Sequence, residues 1–516
     1  MNEAAKKNPS NEPAAVEYFA WNLRGHDKRP CIGDDRIRLS YAEFAHVVDR
    51  CALMFRAVGL GAGDVVALHV PNRVELLVAM MAAWRLGAIV TPINPEFGLV
   101  EASHQLHDSK ARVLITDTPE VAIGRNIAVI RIDEVLPAHT PTDGWSEELS
   151  SAPSPADIAL LIYTSGTTGV PKGVALTHAN LQFMASSMVT HLRLTADDHC
   201  LLVLPLFHVN AICVSFLSPI LAGARLSITD RFSVPNFVRA VRELRPTYFS
   251  AVPMIYALLV RDSNIRPDAF ASLRFAISGA APISPTLLAN AEELLGTPIL
   301  EGYGLTEGTC ASTCNPPAGP RKPGTVGPAM PGQTIAVDGP HGPTDDPSVI
   351  GEVLIRGENV MAHYHQRPAE TAETVIDGWL HTGDIGVFDE DGYLSIVDRK
   401  KDMIIRGGEN IYPKQIEDLL AQHPAVLEAA VVGRPDEVTG ETPYAFVVAR
   451  PNAKPTEPEL RGFLAAQLIR AKVPTTIEFL ETMPRNPIGK TDKIVLRERA
   501  RERRHADDDT RREPAY

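Results

Sequence analysis

Apolar residues occur along the chain in short runs that alternate with longer segments of helical periodicity. The first such unit begins near residue 65, where "VVALHV" is followed by "RVELLVAMMAAWRL" and then by "AIVTPI". The same order recurs in "CLLVLPL", "NAICVSFLSPILA" and "RLSIT", and again in "RFAISGA", "SPTLLANAEELLG" and "PILEGYG". Short apolar runs predict buried strands, and strand–helix–strand units predict parallel sheets covered by helices.

The third of these units carries clear signals for the ends of its helix. Ser284 is typical of an N-cap, Pro285 suits the first helical position, and Gly296 is typical of the residue just beyond a helix. The segment 278–282, "SGAAP", then falls at the carboxyl end of the preceding strand. Open α/β sheets bind ligands at that end of their strands, so this segment is a candidate ligand site.

The pattern changes after about residue 315 to proline- and glycine-rich segments with short strands such as "GEVLIRG" and "GYLSIVD". A final unit near Lys401 has "IYPKQIEDLLAQHP" as a predicted helix, followed by "VLEAAVVG" and "YAFVVAR" as strands. The predicted fold class is therefore α/β, with a large N-terminal domain of helix-covered, mostly parallel sheets, a smaller sheet subdomain and a small α+β C-terminal domain. Residues 498–516 are densely charged and are predicted to be disordered.

A polar, glycine-rich stretch, "YTSGTTGVPKGV" at 163–174, directly follows the apolar run "IALLI". Its glycines let backbone N–H groups turn inward, its hydroxyls add donors and Lys172 adds a positive charge, which together suit phosphate oxygens. The stretch is not a P-loop, because Pro171 replaces the second glycine and Gly173 replaces the hydroxyl residue after the lysine. We predict a loop between two strands with Lys172 facing solvent; the alternative is an ordinary flexible loop.

Length and charge narrow the classes of function. A chain of 516 residues exceeds what one core usually holds, so at least two domains are expected. The net charge of −13 argues against nucleic acid as a main partner. The polar N-terminus predicts no secretory signal, and charged residues interrupt the longest apolar stretch, so no membrane span and a cytoplasmic location are expected. The six scattered cysteines lack metal-ligand spacing and are predicted to be buried thiols.

Six segments of the chain share one recognisable order and spacing: "YTSGTTGVPKGV", "LPLFH", "GYGLTE", "GWLHTGDIG", "DRKKDMIIRGGENIYP" and "PRNPIGK". In these segments the chain resembles the adenylate-forming, or AMP-binding, superfamily and its acyl-CoA synthetase or fatty-acid–CoA ligase branch. The resemblance covers roughly residues 15–497. It implies a reaction in two halves: a carboxylate attacks the α-phosphorus of ATP to give acyl-adenylate and pyrophosphate, and a thiol then displaces AMP.

The resemblance implies roles for the polar residues near ATP. A carboxylate is already anionic at neutral pH, so the first half-reaction needs charge stabilisation and positioning instead of a general base. Glu307 is expected to hold Mg²⁺, Thr306 to contact the α-phosphate and Tyr303 to face adenine. The nucleotide and acyl group are expected to approach the backbone at Gly279, Ala280 and Ala281. The residues expected to grip the β- and γ-phosphates are Thr164, Ser165, Gly166, Thr167, Thr168, Gly169 and Lys172.

Asp384 is expected to accept hydrogen bonds from the ribose hydroxyls, with Arg399 as its cationic companion, although a lone aspartate before a strand is usually a turn residue. The resemblance makes His208 a gate of the acyl pocket, whereas an isolated histidine is more often a core residue. The pocket lining is mostly apolar and disfavours a second charge on the substrate. The other pocket candidates are Val209, Asn210, Ala211, Ile212, Ser278 and Gly302.

Lys490 lies in the small domain, and its flexible ammonium can reach the α-phosphate and the substrate carboxylate only if that domain closes. The resemblance implies a mobile domain that rotates about a hinge at Lys401 and brings Gly408 to the tunnel for the coenzyme A thiol. The predicted divisions are 1–399 for the adenylation domain, 400–497 for the mobile domain and 498–516 for the tail.

The predicted function is an acid–thiol ligase that uses ATP, Mg²⁺ and a carboxylic acid, with coenzyme A as co-substrate. One alternative is a stand-alone adenylation enzyme that loads the thiol of a carrier protein. An alternative of another class is a nucleotide-binding protein without turnover, against which the intact Glu307 and Lys490 argue. The sequence leaves open a homodimer and the identity of the acid.

Overall fold

The computed structural model describes residues 28–122, 127–136, 153–164, 171–229, 231–485 and 491–512, with side chains in the last segment described as far as Glu502. The chain divides into two compact units. The first lies within Met1–Ala336, Leu354–Thr382 and Asp389–Leu394, and the second within Val337–Val353, Gly383–Phe388 and Ser395–Tyr516. The division passes through the short strands that were predicted as the smaller sheet subdomain.

The strands are numbered along the chain, and every strand anticipated from an apolar run is present. They are β1 (Pro30–Gly33), β2 (Arg38–Ser40), β3 (Val65–His69), β4 (Ile89–Pro92), β5 (Val113–Thr116), β6 (Ala128–Arg131), β7 (Ile158–Thr164), β8 (Lys172–Thr177), β9 (His199–Leu202), β10 (Arg225–Ile228), β11 (Tyr248–Ala251), β12 (Phe275–Ser278), β13 (Ile299–Tyr303), β14 (Thr313–Cys314), β15 (Thr334–Gly339), β16 (Gly342–Thr344), β17 (Gly351–Arg356), β18 (His363–Tyr364), β19 (Val375–Ile376), β20 (Trp379–Phe388), β21 (Leu394–Arg399), β22 (Ile404–Arg406), β23 (Glu409–Ile411), β24 (Val426–Asp436), β25 (Gly440–Ala449) and β26 (Thr476–Leu480).

The helices are numbered in the same way, and a π-helical segment, Ala211–Leu217, leads directly into the sixth. Single 3-10 turns cover Pro119–Ala122, Pro267–Phe270, Thr306–Gly308, Lys400–Asp402 and Arg470–Lys472. The α-helices are α1 (Tyr41–Ala57), α2 (Val74–Arg85), α3 (Leu99–Asp108), α4 (Ile132–Val135), α5 (His178–Leu192), α6 (Ser218–Leu221), α7 (Val234–Leu244), α8 (Pro253–Arg261), α9 (Pro285–Leu295), α10 (Pro368–Thr374), α11 (Pro413–Gln422), α12 (Glu457–Ala465) and α13 (Lys493–Arg512).

The first unit holds two large sheets that are mostly parallel, as predicted. One has seven strands in the order β18-β8-β7-β4-β3-β5-β6, and the other has eight in the order β14-β13-β12-β11-β9-β10-β1-β2. Each predicted strand–helix–strand unit places its two strands side by side and parallel, as in β3 with β4, β9 with β10 and β12 with β13. The α/β fold class is therefore confirmed.

Helix α2 shows how the core is built. Every residue from Val74 to Trp84 is buried, as expected for a helix that is apolar on all sides. The indole of Trp84 donates a 2.8 Å hydrogen bond to the carbonyl of Ala159, which ties the helix to β7. The one acidic residue, Glu75, is paired with Arg36 at 2.9 Å and with Arg73 at 2.8 Å, so its buried charge is compensated.

The second unit contains a five-stranded sheet in which β23, β22, β25 and β24 are adjacent in that order and β26 pairs in parallel with β25. Its core joins Ile416 and Leu420 of α11 to Val431 and Val447 of the sheet. The predicted helix and the two strands after it are all present. The smaller sheet has six strands, β15, β16, β17, β19, β20 and β21, in which β15 pairs antiparallel with β16 and β19 with β20.

The charged tail differs from the prediction. Helix α13 runs to Arg512, so residues 498–512 are helical instead of disordered, and residues 513–516 lie outside the described part of the chain. Leu496 and Ala500, one turn apart, are fully buried against Val432 and Phe446 and anchor the helix. Arginine, glutamate and alanine also favour helix strongly, although the tail has few apolar residues to indicate a packed helix.

Two expectations concern the whole chain. All six cysteines are buried free thiols, as predicted. Within the residues that the structure describes, no helix is both long enough and apolar enough to cross a membrane.

Candidate active site

The glycine-rich stretch connects two antiparallel strands, as predicted. Strand β7 ends at Thr164 and β8 begins at Lys172, and these two residues face each other in the register. Lys172 therefore lies in a strand and is half-buried, which corrects the expectation of a solvent-facing loop position. The remaining phosphate-binding candidates, Ser165, Gly166, Thr167, Thr168 and Gly169, lie outside the described residues.

Tyr364 links Lys172 to Glu307. Strand β18 pairs with β8, and this places the ammonium of Lys172 5.1 Å from the centre of the Tyr364 ring. The hydroxyl of Tyr364 donates a 2.8 Å hydrogen bond to Oε1 of Glu307. Burial, and secondarily the charge of Glu307, raise the pKa of Tyr364, so its hydroxyl stays protonated and remains a donor. A cation, a phenol and a carboxylate thus form one continuous group.

The turn that carries Thr306 and Glu307 follows the carboxyl end of β13. Tyr303, Thr306 and Glu307 are half-buried, and the 3-10 turn Thr306–Gly308 is followed by two residues with positive φ, Thr309 and Cys310. The backbone folds back so closely that a Cβ on Gly304 would lie 1.8 Å from the carbonyl oxygen of Cys310. Glycine is therefore required at position 304.

Asn359 is hydrogen-bonded to this turn. Its side chain is fully buried and donates a 3.1 Å hydrogen bond to the carbonyl of Gly308, while its own carbonyl accepts a 2.6 Å bond from the hydroxyl of Thr309. The backbone N–H of Met361 donates to the carbonyl of Glu307 at 2.8 Å. These bonds satisfy polar groups of the strained turn and hold the backbone at Glu307 in place.

The segment "SGAAP" lies at the carboxyl end of β12, as predicted. Ser278 ends the strand and is buried, and its hydroxyl has no hydrogen-bond partner among the described residues. Gly279 is also buried, whereas Ala280 and Ala281 are exposed, and Ala280 has a φ of 66°. The backbone here is thus strained and accessible at once, which suits close contact with a bound group.

The acyl-pocket candidates divide into two groups. His208 is exposed with its ring 4.4 Å from that of Phe207, which excludes the core-residue alternative for this histidine. Asn210, directly before the π-helical segment, and Gly302, near the end of β13, are half-buried. The remaining candidates, Val209, Ala211 and Ile212, belong to the main hydrophobic core.

In the second unit, Asp384 and Arg399 are paired. Nε of Arg399 lies 3.3 Å from Oδ1 of Asp384, and the carboxylate side chain is only 11% exposed. Arg399 is therefore the cationic neighbour that was predicted for Asp384. The ribose role of the pair stays a prediction.

Lys401 and Gly408, the predicted hinge and tunnel residues, are both exposed in the second unit. Lys401 lies in the turn Lys400–Asp402, and its carbonyl accepts a 3.3 Å hydrogen bond from Arg497 of α13. Gly407 and Gly408 have φ values of 60° and 87° and form the turn between β22 and β23. Lys490 lies outside the described residues.

Tyr364 and Asn359 were not predicted from the sequence. Neither lies in a glycine-rich stretch or at the end of a helical pattern, and each acts through contacts with residues about fifty positions or more away. The only local signal is that "VMAHYH" is a short strand-like segment among turn residues.

Two family models match the chain. The AMP-binding enzyme family matches residues 19–365, and the AMP-binding enzyme C-terminal domain matches residues 415–490. An oxalate–CoA ligase from Arabidopsis thaliana is 34% identical over 491 residues, 91% of this chain and 95% of that protein. A long-chain-fatty-acid–CoA ligase from Mycobacterium tuberculosis is 36% identical over 477 residues, 90% of this chain and 93% of that one. A fatty acid–[acyl-carrier-protein] ligase from Streptomyces coeruleorubidus is 33% identical over 498 residues, 94% and 96% respectively.

Solved structures agree with these sequence matches. ATP-bound MatB from Rhodopseudomonas palustris has a TM-score of 0.87 and 30% identity, covering 94% of this chain and 99% of that one. O-succinylbenzoate coenzyme A synthetase from Bacillus subtilis, in complex with ATP and magnesium ion, has a TM-score of 0.82 and 29% identity, covering 95% and 99%.

The fold and the site define the class of ATP-dependent, AMP-forming acid–CoA ligases. The chain belongs to the AMP-binding enzyme family. The predicted family, fold class and type of reaction are therefore confirmed.

Proposed function

We propose that this chain activates a carboxylic acid with ATP, releases pyrophosphate, and transfers the acyl group from the adenylate to coenzyme A with release of AMP. The observation that supports this proposal most directly is the contact group formed by Lys172, Tyr364 and Glu307. Lys172 supplies positive charge beside the glycine-rich segment. Glu307, whose Oε1 lies 2.8 Å from the Tyr364 hydroxyl, would supply a carboxylate for a metal ion. This arrangement suits the stabilisation of charge on a departing pyrophosphate.

The residues fit Mg²⁺ bound together with ATP. Mg²⁺ is usually held by one or two carboxylates, with water and substrate phosphates completing its shell. Within the described residues, no group of three or more histidine, cysteine, aspartate or glutamate side chains could hold a metal ion alone. Glu307 uses Oε1 to accept from Tyr364, and Oε2 is the oxygen that we assign to the metal. When bound, Mg²⁺ neutralises charge on the phosphates.

The remaining roles follow the sequence predictions. Tyr303 and residues 279–281 contact adenine and the acyl end, Thr306 contacts the α-phosphate, and Asp384 with Arg399 binds the ribose. Lys490 stabilises the adenylation transition state, and Lys401 is the hinge that brings Gly408 to the thiol. The adenylation domain ends at residue 399 and the mobile domain at residue 497.

Coenzyme A is the proposed acceptor, and the enzyme is proposed to act in the cytoplasm, as a homodimer or a monomer. A carrier-protein thiol is the alternative acceptor, because one relative of comparable identity is named as a ligase for acyl carrier protein. The acid is proposed to carry a single carboxylate, since the predicted pocket includes core residues such as Val209 and Ile212 and a second charge there would be costly.

The test measures two products over a panel of carboxylic acids. Pyrophosphate released with acid alone reports adenylation, and AMP that forms only with coenzyme A reports the ligase. Lys172→Met and Glu307→Gln should lower adenylation by about 100-fold each. Lys322→Met is a matched control, because Lys322 lies 4.6 Å from the centre of the Tyr393 ring in the same unit and should retain activity. If no acid releases pyrophosphate, the result favours a nucleotide-binding protein without turnover. If the acyl group is transferred to a carrier-protein thiol and not to coenzyme A, the result favours the carrier-loading enzyme.

A further inference from the structure

The space in front of Gly279 is bounded by one hydrogen-bond donor and one acceptor. A methyl group built on Gly279 would lie 3.7 Å from Nδ2 of Asn210 and 3.9 Å from the carbonyl oxygen of Gly302. Apart from the chain neighbours of Gly279, these are the two atoms of the described residues within 4 Å of that point. A small group placed there meets polar atoms of both kinds at ordinary contact distances.

Ser250 fixes the orientation of the Asn210 amide. Ser250 lies on β11, is 1% exposed, and its hydroxyl donates a 3.1 Å hydrogen bond to Oδ1 of Asn210. Because Oδ1 is held by Ser250, Nδ2 is the atom turned towards Gly279. The amide therefore presents N–H donors to the space at the carboxyl ends of β12 and β13.

We propose that Asn210 and the carbonyl of Gly302 select a carboxylic acid that carries a hydroxyl group, with Ser250 as a positioning residue. A hydroxyl accepts from Asn210 through its oxygen and donates its proton to Gly302, so it satisfies both atoms. A hydrocarbon chain would leave both without a partner. A second carboxylate would bring negative charge against the carbonyl oxygen. This inference rests on the proposed function and narrows its substrate class.

The experiment compares kcat/KM for pairs of acids that differ by one hydroxyl: propionate and lactate, butyrate and β-hydroxybutyrate, benzoate and para-hydroxybenzoate, cinnamate and para-coumarate. The hydroxylated member of at least one pair should be preferred by about tenfold or more, because sites built to hydrogen-bond a hydroxyl reject its analogue. Asn210→Leu should reduce that preference to about threefold or less. Ser250→Ala should reduce it in the same direction and by less, since the amide is then free to rotate.

Two further variants provide a second test of the hydroxyl preference and a control. Gly279→Ala places a methyl group in the space itself and should also reduce the preference, which covers the case in which Asn210→Leu does not fold. Ser227→Ala is the matched control, because Ser227 is buried in the same sheet, lies 2.8 Å from Nε2 of His199, and should leave the preference unchanged.

The outcomes distinguish failure of the hydroxyl selection from failure of the proposed ligase function. Equal use of both members in every pair, or a preference that persists in both Asn210→Leu and Gly279→Ala, would overturn the selection of a hydroxyl group. An increase in the KM for ATP in Asn210→Leu, with the acid preference intact, would assign the space to the nucleotide and overturn it as well. If no acid gives coenzyme-A-dependent AMP, the proposed function itself fails and the inference falls with it.

Discussion

The hydroxyl of Tyr364 lies 2.8 Å from Oε1 of Glu307 and donates a hydrogen bond to it. The same ring lies beneath the ammonium of Lys172 at 5.1 Å from its centre. A single tyrosine on the short strand β18 therefore orients the carboxylate proposed for Mg²⁺ and also contacts the cation proposed for the phosphates.

Tyr364→Phe should lower kcat/KM for Mg²⁺-ATP in adenylation by about tenfold or more, because a hydrogen bond to a charged group is lost while the ring remains. The dependence of pyrophosphate release on Mg²⁺ concentration measures the effect. Tyr393→Phe is the matched control, since the hydroxyl of Tyr393 donates a 2.7 Å bond to the carbonyl of Pro320 in the same unit. Similar losses in the two variants would contradict a specific role for Tyr364.

Lys490→Ala should reduce formation of acyl-adenylate by about 100-fold or more and spare the conversion of supplied acyl-adenylate and coenzyme A into thioester. A well-placed charge in a site closed to water stabilises the transition state of one half-reaction only. Each half-reaction is measured separately in rapid-quench experiments. An equal loss in both would remove the basis for the domain rotation.

Lys401→Pro should preserve adenylation and reduce thioester formation, because proline fixes φ and removes a donor at the predicted hinge. Arg497→Met provides an independent test, since Arg497 donates to the carbonyl of Lys401 and pairs with Asp402. It should also change the ratio of the two half-reactions. Arg499 lies on the same helix as Arg497 and pairs at 2.7 Å with Glu478 of β26, so Arg499→Met should leave that ratio unchanged.

Glu301→Gln should stabilise the protein at alkaline pH only. Burial raises the pKa of Glu301 to about 7, so the folded state holds this proton above the pH at which the unfolded chain releases it. The wild-type protein therefore loses stability between about pH 4.5 and 7, by on the order of 3 kcal/mol in all. Melting temperatures of the two proteins should nearly agree at pH 5 and differ in favour of Glu301→Gln at pH 8. A constant difference across that range would contradict the raised pKa.

The sequence predicted the elements whose signals are local. Helix α5 covers His178–Leu192, because Thr177 forms a capping box with Asn180 and an apolar face follows. Helix α9 begins after Ser284, which accepts from the N–H of Leu287, and ends at Gly296 with a φ of 64°. Alternation between strand and helix periodicity was sufficient for the two parallel sheets.

Contacts between distant segments could not be predicted in this way. Lys172 was expected to face solvent because its neighbours are turn residues, and only the pairing of β8 with β18 brings Tyr364 over it. The end of the chain was expected to be disordered because it is densely charged and nearly free of apolar residues, whereas Leu496 and Ala500 are enough to anchor helix α13. The sequence motifs identified which residues matter, and the sheet register determined what they contact.

A Cβ built on Gly304 would lie 1.8 Å from the carbonyl oxygen of Cys310, and this crowding also constrains how the enzyme can be recombined with its relatives. Residues 303–315 fold back on themselves, and their backbone fits only if position 304 remains glycine. A crossover that brings a residue with a Cβ to position 304 should therefore give an inactive chimera. Position 327 carries the same constraint, because a Cβ on Gly327 would lie 2.1 Å from the backbone of Cys314.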